Sequence, residues 1–188
     1  MLERLQEAGY REVVTNALGP GASLPLVDVG FAVRGHLHLL VHELGSLPAQ
    51  SGRTRRAARG DRASLLAADA AAFEEFWRFD AVALREAARA TPRAHTLAAP
   101  VENDPVAYGL FGRAGVAGYV QRLAVAPASQ GKGFGYALLT DGLRWLRAHG
   151  AGRAYVNTQD DNDRALSLYL RSGFRQLPVG LNVLGREL

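Results

Sequence analysis

One glycine-rich stretch has the residue types and the spacing best suited to bind an anion. It reads Gln130-Gly131-Lys132-Gly133-Phe134-Gly135 and follows a strand-like run that ends at Pro127. Glycine leaves its backbone N–H groups uncovered, and the helix predicted to follow directs the positive end of its dipole at the same place. Lys132, the only lysine of the chain, adds a positive charge. The stretch therefore predicts a site for a phosphate or a pyrophosphate.

The stretch differs from two familiar phosphate-binding motifs. It lacks the GxxxxGK(S/T) pattern of a P-loop, and a GxGxxG pattern counted from Gly131 or Gly133 places Tyr136 or Leu138 at the third glycine. It does fit the pattern Q/R-x-x-G-x-G/A, preceded by Leu123-Ala124-Val125-x-Pro127. In that combination it resembles the acetyl-CoA loop of the GNAT superfamily of N-acetyltransferases.

A second group of residues strengthens the resemblance. It consists of Val156-Asn157-Thr158 followed by Asn162, Ala165, Leu168-Tyr169 and Gly173-Phe174, and is similar to the later strand, helix and Gly-Phe signature of the family. Asn162 and Tyr169 are seven positions apart, so they share one face of the predicted helix. The resemblance covers residues 55–188 and is most specific over 123–174.

The resemblance implies a role for each of these residues. The strand before the loop splays from its neighbour in this family, so backbone groups of Leu123 and Val125 would pair with the pantetheine arm, which Asn162 would also bond. Backbone N–H groups of the loop would hold the pyrophosphate. Tyr169 resembles the general acid that protonates the departing CoA thiolate, and a phenol with a pKa near 10 keeps its proton at neutral pH. The implied cofactor-binding positions are Leu123, Ala124, Val125, Gln130, Gly131, Lys132, Gly133, Phe134, Gly135, Tyr136 and Asn162.

The implied reaction is direct attack of a neutral amine, on a small molecule or a protein, on the acetyl-CoA thioester. The absence of cysteine agrees with one-step transfer in a ternary complex, because it excludes an acyl-cysteine intermediate. A base must take the proton of the amine, and the sequence does not single one out. The hairpin strand carries Tyr119 and Gln121 where a carboxylate could have served, and the alternatives are the carboxylates Glu74, Glu75, Asp80, Glu102 and Asp104.

Two other functions compete with acetyl transfer. A non-catalytic domain that binds or senses acyl-CoA would need the same loop, and the pair Asn162 and Tyr169 favours catalysis over it. A nucleic-acid-binding protein would suit the net charge of +4. Aromatic residues are not interleaved with the arginines as base stacking requires, so no nucleic-acid partner is expected.

Three histidines, His36, His38 and His42, alternate along one predicted strand face and could ligate a metal. No acidic or cysteine partner stands at ligand spacing within the strand, so a solvated polar face is favoured and no metal is expected. No apolar run is long enough to cross a bilayer, and the charged N-terminus lacks the apolar core of a signal peptide. A cytoplasmic protein without a membrane partner is expected.

The order of predicted elements indicates an α/β fold. Helices are predicted at 2–8, 61–70, 81–90, 136–149 and from the cap at 161–163 to 171, and strands at 12–15, 31–44, 55–58, 95–98, 106–111, 117–125, 155–157 and 179–188. Gly19-Pro20-Gly21 is predicted to break the pattern. With the resemblance, this order implies a mixed, mainly antiparallel central sheet flanked by helices, with splayed strands at the acetyl-CoA site.

Four aromatic residues, Phe73, Phe76, Trp77 and Phe79, cluster between two predicted helices. They could line a substrate pocket, but large aromatic side chains more often pack in the core or between helices. A packing role is therefore predicted.

The first part of the chain is predicted to be a degenerate partial copy of the last part. The run from Gly9 to Asn16 is similar to that from Gly152 to Gln159, and each is followed at the same distance by a Gly-Phe pair. Three segments result: the partial repeat at 1–45, an arginine-rich linker at 46–54 and the acetyltransferase-like domain at 55–188. The repeat is expected to cover strand edges of the C-terminal hairpin, within one chain or in a swapped homodimer.

Overall fold

The computed structural model describes residues 2–101 and 104–188. The helices in that part of the chain are α1 (Leu2–Glu7), α2 (Pro20–Asp28), α3 (Arg62–Ala72), α4 (Ala81–Arg89), α5 (Phe134–Ala148) and α6 (Asp163–Arg171). The strands are β1 (Glu12–Val14), β2 (Ala32–His42), β3 (Arg55–Arg56), β4 (Arg93–Val101), β5 (Asp104–Ala114), β6 (Ala117–Val125), β7 (Arg153–Gln159), β8 (Arg175–Gln176) and β9 (Leu181–Glu187). None of these helices combines the length and the apolar character needed to cross a membrane.

The chain folds into two compact units. The first consists of Met1–Leu40, Asn157–Leu170 and Arg175–Leu188, and the second of Val41–Val156 and Arg171–Phe174. The chain passes from one unit to the other inside β2, inside β7, inside α6 and again between Phe174 and Arg175.

In the first unit, N-terminal strands pair with both edges of the C-terminal strand β9. β1 lies antiparallel to β9 on one edge, with Val13 opposite Arg186. β2 lies antiparallel on the other edge, with His36 opposite Asn182. Because an unpaired strand edge invites association with other chains, β1 and β2 protect β9.

The second unit is built on antiparallel strands in sequence order. β3 pairs with β4, β4 with β5 and β5 with β6, all antiparallel, and β7 joins β6 in a short parallel ladder. Helices α3, α4 and α5 contact these strands. The predicted mixed, mainly antiparallel sheet flanked by helices is confirmed.

The core of the second unit forms where α5 lies against β5. The buried face of α5 carries four leucines, Leu138, Leu139, Leu143 and Leu146, and a leucine buried in this way contributes about 1.5–3 kcal/mol. Phe111 of β5 packs against the same helix, and a Cβ atom added to Gly142 would lie 2.1 Å from its ring. Glycine at this position therefore permits the close approach of helix and strand.

One predicted break in the chain is wrong. Gly19-Pro20-Gly21 begins α2, with Gly19 as the N-cap and Pro20 at the first helical position. Proline suits that position, because its missing N–H would have no partner there and its φ angle is already helical. The other predicted helices and strands are present, most with somewhat different ends.

The predicted solvated face of β2 is wrong for His42. This side chain is buried, its Nδ1 accepts a hydrogen bond from the backbone N–H of Leu44 at 2.9 Å, and its ring meets Phe174 edge-on. Leu40, on the same strand face, and Val41, on the opposite face, are buried too, so this end of the strand is covered on both faces. Burial lowers the pKa of His42 below its usual value. Over residues 2–101 and 104–188, no group of three metal-ligating side chains converges.

Candidate functional site

The predicted anion loop joins β6 to α5 in the second unit. Gly131 and Gly133 have φ angles of 76° and 84°, a backbone region that costs residues with a side chain roughly 1–2 kcal/mol. Gly133 is also the N-cap of α5, and no side-chain hydrogen bond caps this helix. The stretch Gly131–Gly133 is exposed. The loop therefore presents the first backbone N–H groups of a 15-residue helix to an incoming anion.

The last residues of β6 present an edge that has no strand partner among the described residues of the second unit. β5 pairs with β6 as far as Val125, whereas the parallel ladder with β7 covers Ala117–Tyr119. On the β5 side, Ala126 donates its N–H to the carbonyl of Val106 at 3.0 Å. Because hydrogen-bonding directions alternate along a strand, Leu123 and Val125 direct their backbone groups toward the other edge. That edge leads directly into the anion loop.

Gln130 ties the loop to this edge. Its side-chain Nε2 donates a hydrogen bond to the carbonyl oxygen of Val125 at 3.0 Å. The predicted open edge is therefore partly occupied, since one lone pair of the Val125 carbonyl already accepts a bond. The backbone groups of Leu123 and the N–H of Val125 point to the same edge.

The segment before β3 is fixed against α5. Asp141, a buried residue of α5, accepts hydrogen bonds from the backbone N–H and hydroxyl of Ser51 at 3.0 and 2.7 Å and from the hydroxyl of Thr54 at 2.6 Å. These bonds satisfy both carboxylate oxygens. They hold in place a stretch whose polar, arginine-rich composition by itself predicts a solvated linker.

Arg53, inside that segment, lies on the anion loop. Its Nη1 donates to the carbonyl of Lys132 at 2.8 Å, and its guanidinium carbon lies 4.5 Å from the ring centroid of Phe134. Sequence reasoning missed this residue, because 79 positions separate it from Lys132 and no spacing rule connects them.

A buried ion pair braces the strand that leads to the loop. Asp69 of α3 is fully buried and accepts bonds from Arg122 Nε and Nη2, both at 2.7 Å, from the hydroxyl of Tyr108 at 2.6 Å and from the N–H of Phe79 at 2.7 Å. Burial, together with the neighbouring carboxylate, raises the pKa of Tyr108 far above its usual value. Arg122 directly precedes Leu123, so this cluster helps to fix β6 where its open edge begins.

The aromatic cluster takes part in the same packing. The guanidinium of Arg122 lies between Phe73 and Phe79, with its carbon 3.5 and 4.0 Å from their ring centroids, and it also donates to the carbonyl of Trp77. Phe76 is about half exposed. A packing role is thus confirmed for Phe73 and Phe79.

Asn162 and Tyr169 lie in the first unit, at α6. Asn162 precedes the helix, and its Oδ1 accepts a hydrogen bond from the N–H of Ala165 at 3.0 Å, which is the geometry of an N-cap. Its Nδ2 is 3.5 Å from Oε1 of Gln159. Tyr169 is buried, with 5% of its surface exposed. The helix cap predicted at Asp161-Asn162-Asp163 is confirmed at Asn162.

The carboxylates considered as a general base, and the hairpin residues Tyr119 and Gln121, have different surroundings. Asp80 caps α4 by accepting bonds from Val82 and Ala83, and Gln121 donates to the carbonyl of Ala87 at 2.8 Å. Tyr119 is partly exposed beside Tyr155, with 6.1 Å between ring centroids. Glu74, Glu75 and Asp104 are exposed, and Glu102 lies outside the described residues. No candidate among the described residues is distinguished by its contacts.

Comparison with known proteins finds one family whose model matches more than half of this chain. Residues 62–174 match the model of the acetyltransferase (GNAT) family. A mycothiol acetyltransferase from Parafrankia is 41% identical over 78 residues, which cover 41% of this chain and 24% of that protein. One from Streptomyces avermitilis is 47% identical over 57 residues, which cover 30% and 18%. The matched segments thus span about a quarter or less of these relatives.

Solved structures show the same fold. A GCN5-related N-acetyltransferase from Sphaerobacter thermophilus superposes with a TM-score of 0.67 at 18% identity, covering 99% of this chain and 64% of that one. A tandem GNAT protein from the clavulanic acid biosynthesis pathway gives a TM-score of 0.69 at 11% identity, covering 98% and 66%. At these identities the likeness concerns the fold alone.

Proposed function

This chain belongs to the GNAT acetyltransferase family, and we propose that it transfers an acetyl group from acetyl-CoA to a primary amine. One observation carries the proposal. The edge of β6 at Leu123–Val125, which has no strand partner among the described residues of the second unit, runs directly into a glycine-rich loop, and no side-chain hydrogen bond caps the helix α5 that begins there. Acetyl-CoA has the matching order of groups, an amide-containing arm followed by a pyrophosphate.

Each half of the site suits one part of this ligand. Backbone groups of Leu123 and Val125 would pair with the amides of the pantetheine arm as a further strand would. Backbone N–H groups of Gly131, Gly133 and Gly135 would hold the pyrophosphate, helped by the helix dipole and by Lys132. Gln130 would keep the loop closed on the strand through its bond to Val125.

The proposed chemistry is a single displacement. The amine nitrogen attacks the thioester carbonyl, the new C–N bond forms and the C–S bond breaks. The amine loses one proton to a base or to water, and the departing thiolate takes one from an acid. We assign the acid to Tyr169 and a contact with the cofactor arm to Asn162, because both match the family motif on α6.

An amine screen with release of CoA as the readout tests the proposal. Suitable acceptors are simple primary amines, lysine peptides and the acceptor of the mycothiol acetyltransferases. Tyr169→Phe should lower the rate of transfer by about 10²–10⁴-fold while CoA affinity stays nearly unchanged. Tyr10→Phe is the matched control, because Tyr10 is exposed and loses the same hydroxyl.

The outcomes test the role of Tyr169 and the enzymatic activity separately. Normal transfer by Tyr169→Phe would refute the acid. Binding of CoA without transfer to any amine would refute the enzyme and favour an acyl-CoA-binding or acyl-CoA-sensing domain, which shares the same loop.

A further inference from the structure

A cation from outside the family motif stands at the anion loop. A Cβ atom added to Gly133 would lie 2.9 Å from Nη1 of Arg53, so this guanidinium lies against the N-cap of α5. Gly133 and Arg53 are both exposed. The charge of Arg53 therefore lies beside the residue at which α5 begins, and both residues are open to solvent.

Hydrogen bonds on either side fix the backbone of Arg53. Ser51 and Thr54 are both bonded to the carboxylate of Asp141, and the N–H of Arg53 donates to the hydroxyl of Ser51 at 3.2 Å. Phe134 and Asp141 are seven positions apart and so lie on the same face of α5. The segment thus runs along this face, and Arg53 reaches the loop at the helix start.

The side chain has donors left for a ligand. A guanidinium carries five N–H donors in a planar fork, and among the described residues one of its nitrogens, Nη1, finds an acceptor, the carbonyl of Lys132. That bond and the contact with the Phe134 ring hold the plane in one orientation. A planar cation held in this way suits phosphate oxygens better than the flexible ammonium of Lys132 does.

We propose that Arg53 is a binding residue for the pyrophosphate of the acyl-CoA cosubstrate, an inference that rests on the proposed function. Arg53 and Lys132 supply two positive charges at the loop, equal in number to the two negative charges of a pyrophosphate diester. A segment that precedes the family motif thereby completes the phosphate site.

Calorimetric titration of the full chain with CoA, dephospho-CoA and pantetheine tests this inference. Arg53→Gln removes the charge and should weaken binding of CoA and dephospho-CoA by about tenfold, the size expected for one hydrogen bond between charged groups. Pantetheine, which lacks the pyrophosphate, should bind both proteins equally. The loss should shrink in high salt, and Arg53→Lys should retain part of the affinity.

Arg56→Gln is the matched control. It removes an equal charge three positions away, from an exposed residue of β3, and should leave all three affinities unchanged. A similar loss in this variant would show that general surface charge is responsible and would overturn the inference.

The outcomes distinguish this inference from the proposed function. Binding of CoA by wild type with unchanged affinity in Arg53→Gln overturns the role of Arg53 alone. An equal loss for pantetheine shows that Arg53 only shapes the loop, and a loss confined to CoA assigns it to the 3′-phosphate, so either result overturns the pyrophosphate contact. Wild type that binds none of the three overturns both the proposed function and this inference.

Discussion

Removing one partner of the buried pair of Asp69 and Arg122 should destabilise the fold strongly. Asp69→Ala leaves the guanidinium of Arg122, which is 10% exposed, without its counter-charge. Breaking a buried pair in this way costs about 3–5 kcal/mol. For a chain of this size, 1 kcal/mol corresponds to a shift in Tm of about 2–4 °C, so Asp69→Ala should lower the Tm by roughly 6–20 °C.

An exposed pair of the same type provides the control. Glu43 and Arg153 lie 2.8 Å apart with 55% and 58% of their side chains exposed. Glu43→Ala should cost far less stability than Asp69→Ala, because water screens the exposed charges and little desolvation is involved. The contrast between the two variants isolates the effect of burial.

The assays are thermal denaturation, which gives the Tm, and urea denaturation of wild type, Asp69→Ala, Glu43→Ala, Arg122→Met and the double variant of Asp69 and Arg122. Methionine preserves apolar packing between Phe73 and Phe79, so each single variant mainly leaves the other charge unpaired. The double variant should be more stable than the sum of the single losses predicts, by about 1–3 kcal/mol. Losses that add to within about 0.5 kcal/mol, or a cost for Asp69→Ala no larger than that for Glu43→Ala, would refute the reasoning.

Three further predictions concern the fold. Burial lowers the pKa of His42, so the imidazole binds its proton more readily in the unfolded chain, and the free energy of unfolding falls as the pH drops below about 6.5. Urea denaturation of His42→Asn should show a smaller fall over this pH range, and an unchanged fall would contradict this assignment. Gly142→Ala should cost about 1–3 kcal/mol, since its Cβ would lie 2.1 Å from the ring of Phe111, and urea denaturation without a measurable loss would show that the helix simply shifts. Deletion of residues 1–44 strips both edges of β9 and should cause aggregation in light scattering, whereas a stable monomer would count against the protective role of β1 and β2.

The sequence predicts the parts of the site that local physics determines. A strand, a turn and a helix with glycines between them predict the loop, and the positive φ angles of Gly131 and Gly133 are the reason for those glycines. Asn162 follows the same logic, because an Asn before an amphipathic run is typical of a helix cap. Such signals extend over a few residues, which is why they can be read along the chain.

Contacts between distant residues give no such signal. Arg122 and Asp69 are 53 positions apart, and Asp69 looks like any polar residue of a helix until the fold surrounds it. Arg53 lies in a stretch whose composition is that of a linker, and only the bonds of Ser51 and Thr54 to Asp141 bring it to the loop. The sequence contains these residues without indicating that they meet.

Two errors have a different physical origin. Glycine and proline mark both turns and helix starts, so Gly19-Pro20-Gly21 was ambiguous and α2 follows it. The alternation of His36, His38 and His42 indicates a strand face but not what covers that face. Burial of His42 beside Phe174 depends on packing that the alternation does not contain.

The most direct test of the central claim is an NMR titration of the backbone amide signals with CoA and with pantetheine. CoA should shift the signals of Gly131, Gly133 and Gly135 together with those of Leu123 and Val125, whereas pantetheine should shift those of the strand alone. Binding of CoA that leaves the signals of the three loop glycines unchanged would contradict the claim that this loop holds the pyrophosphate.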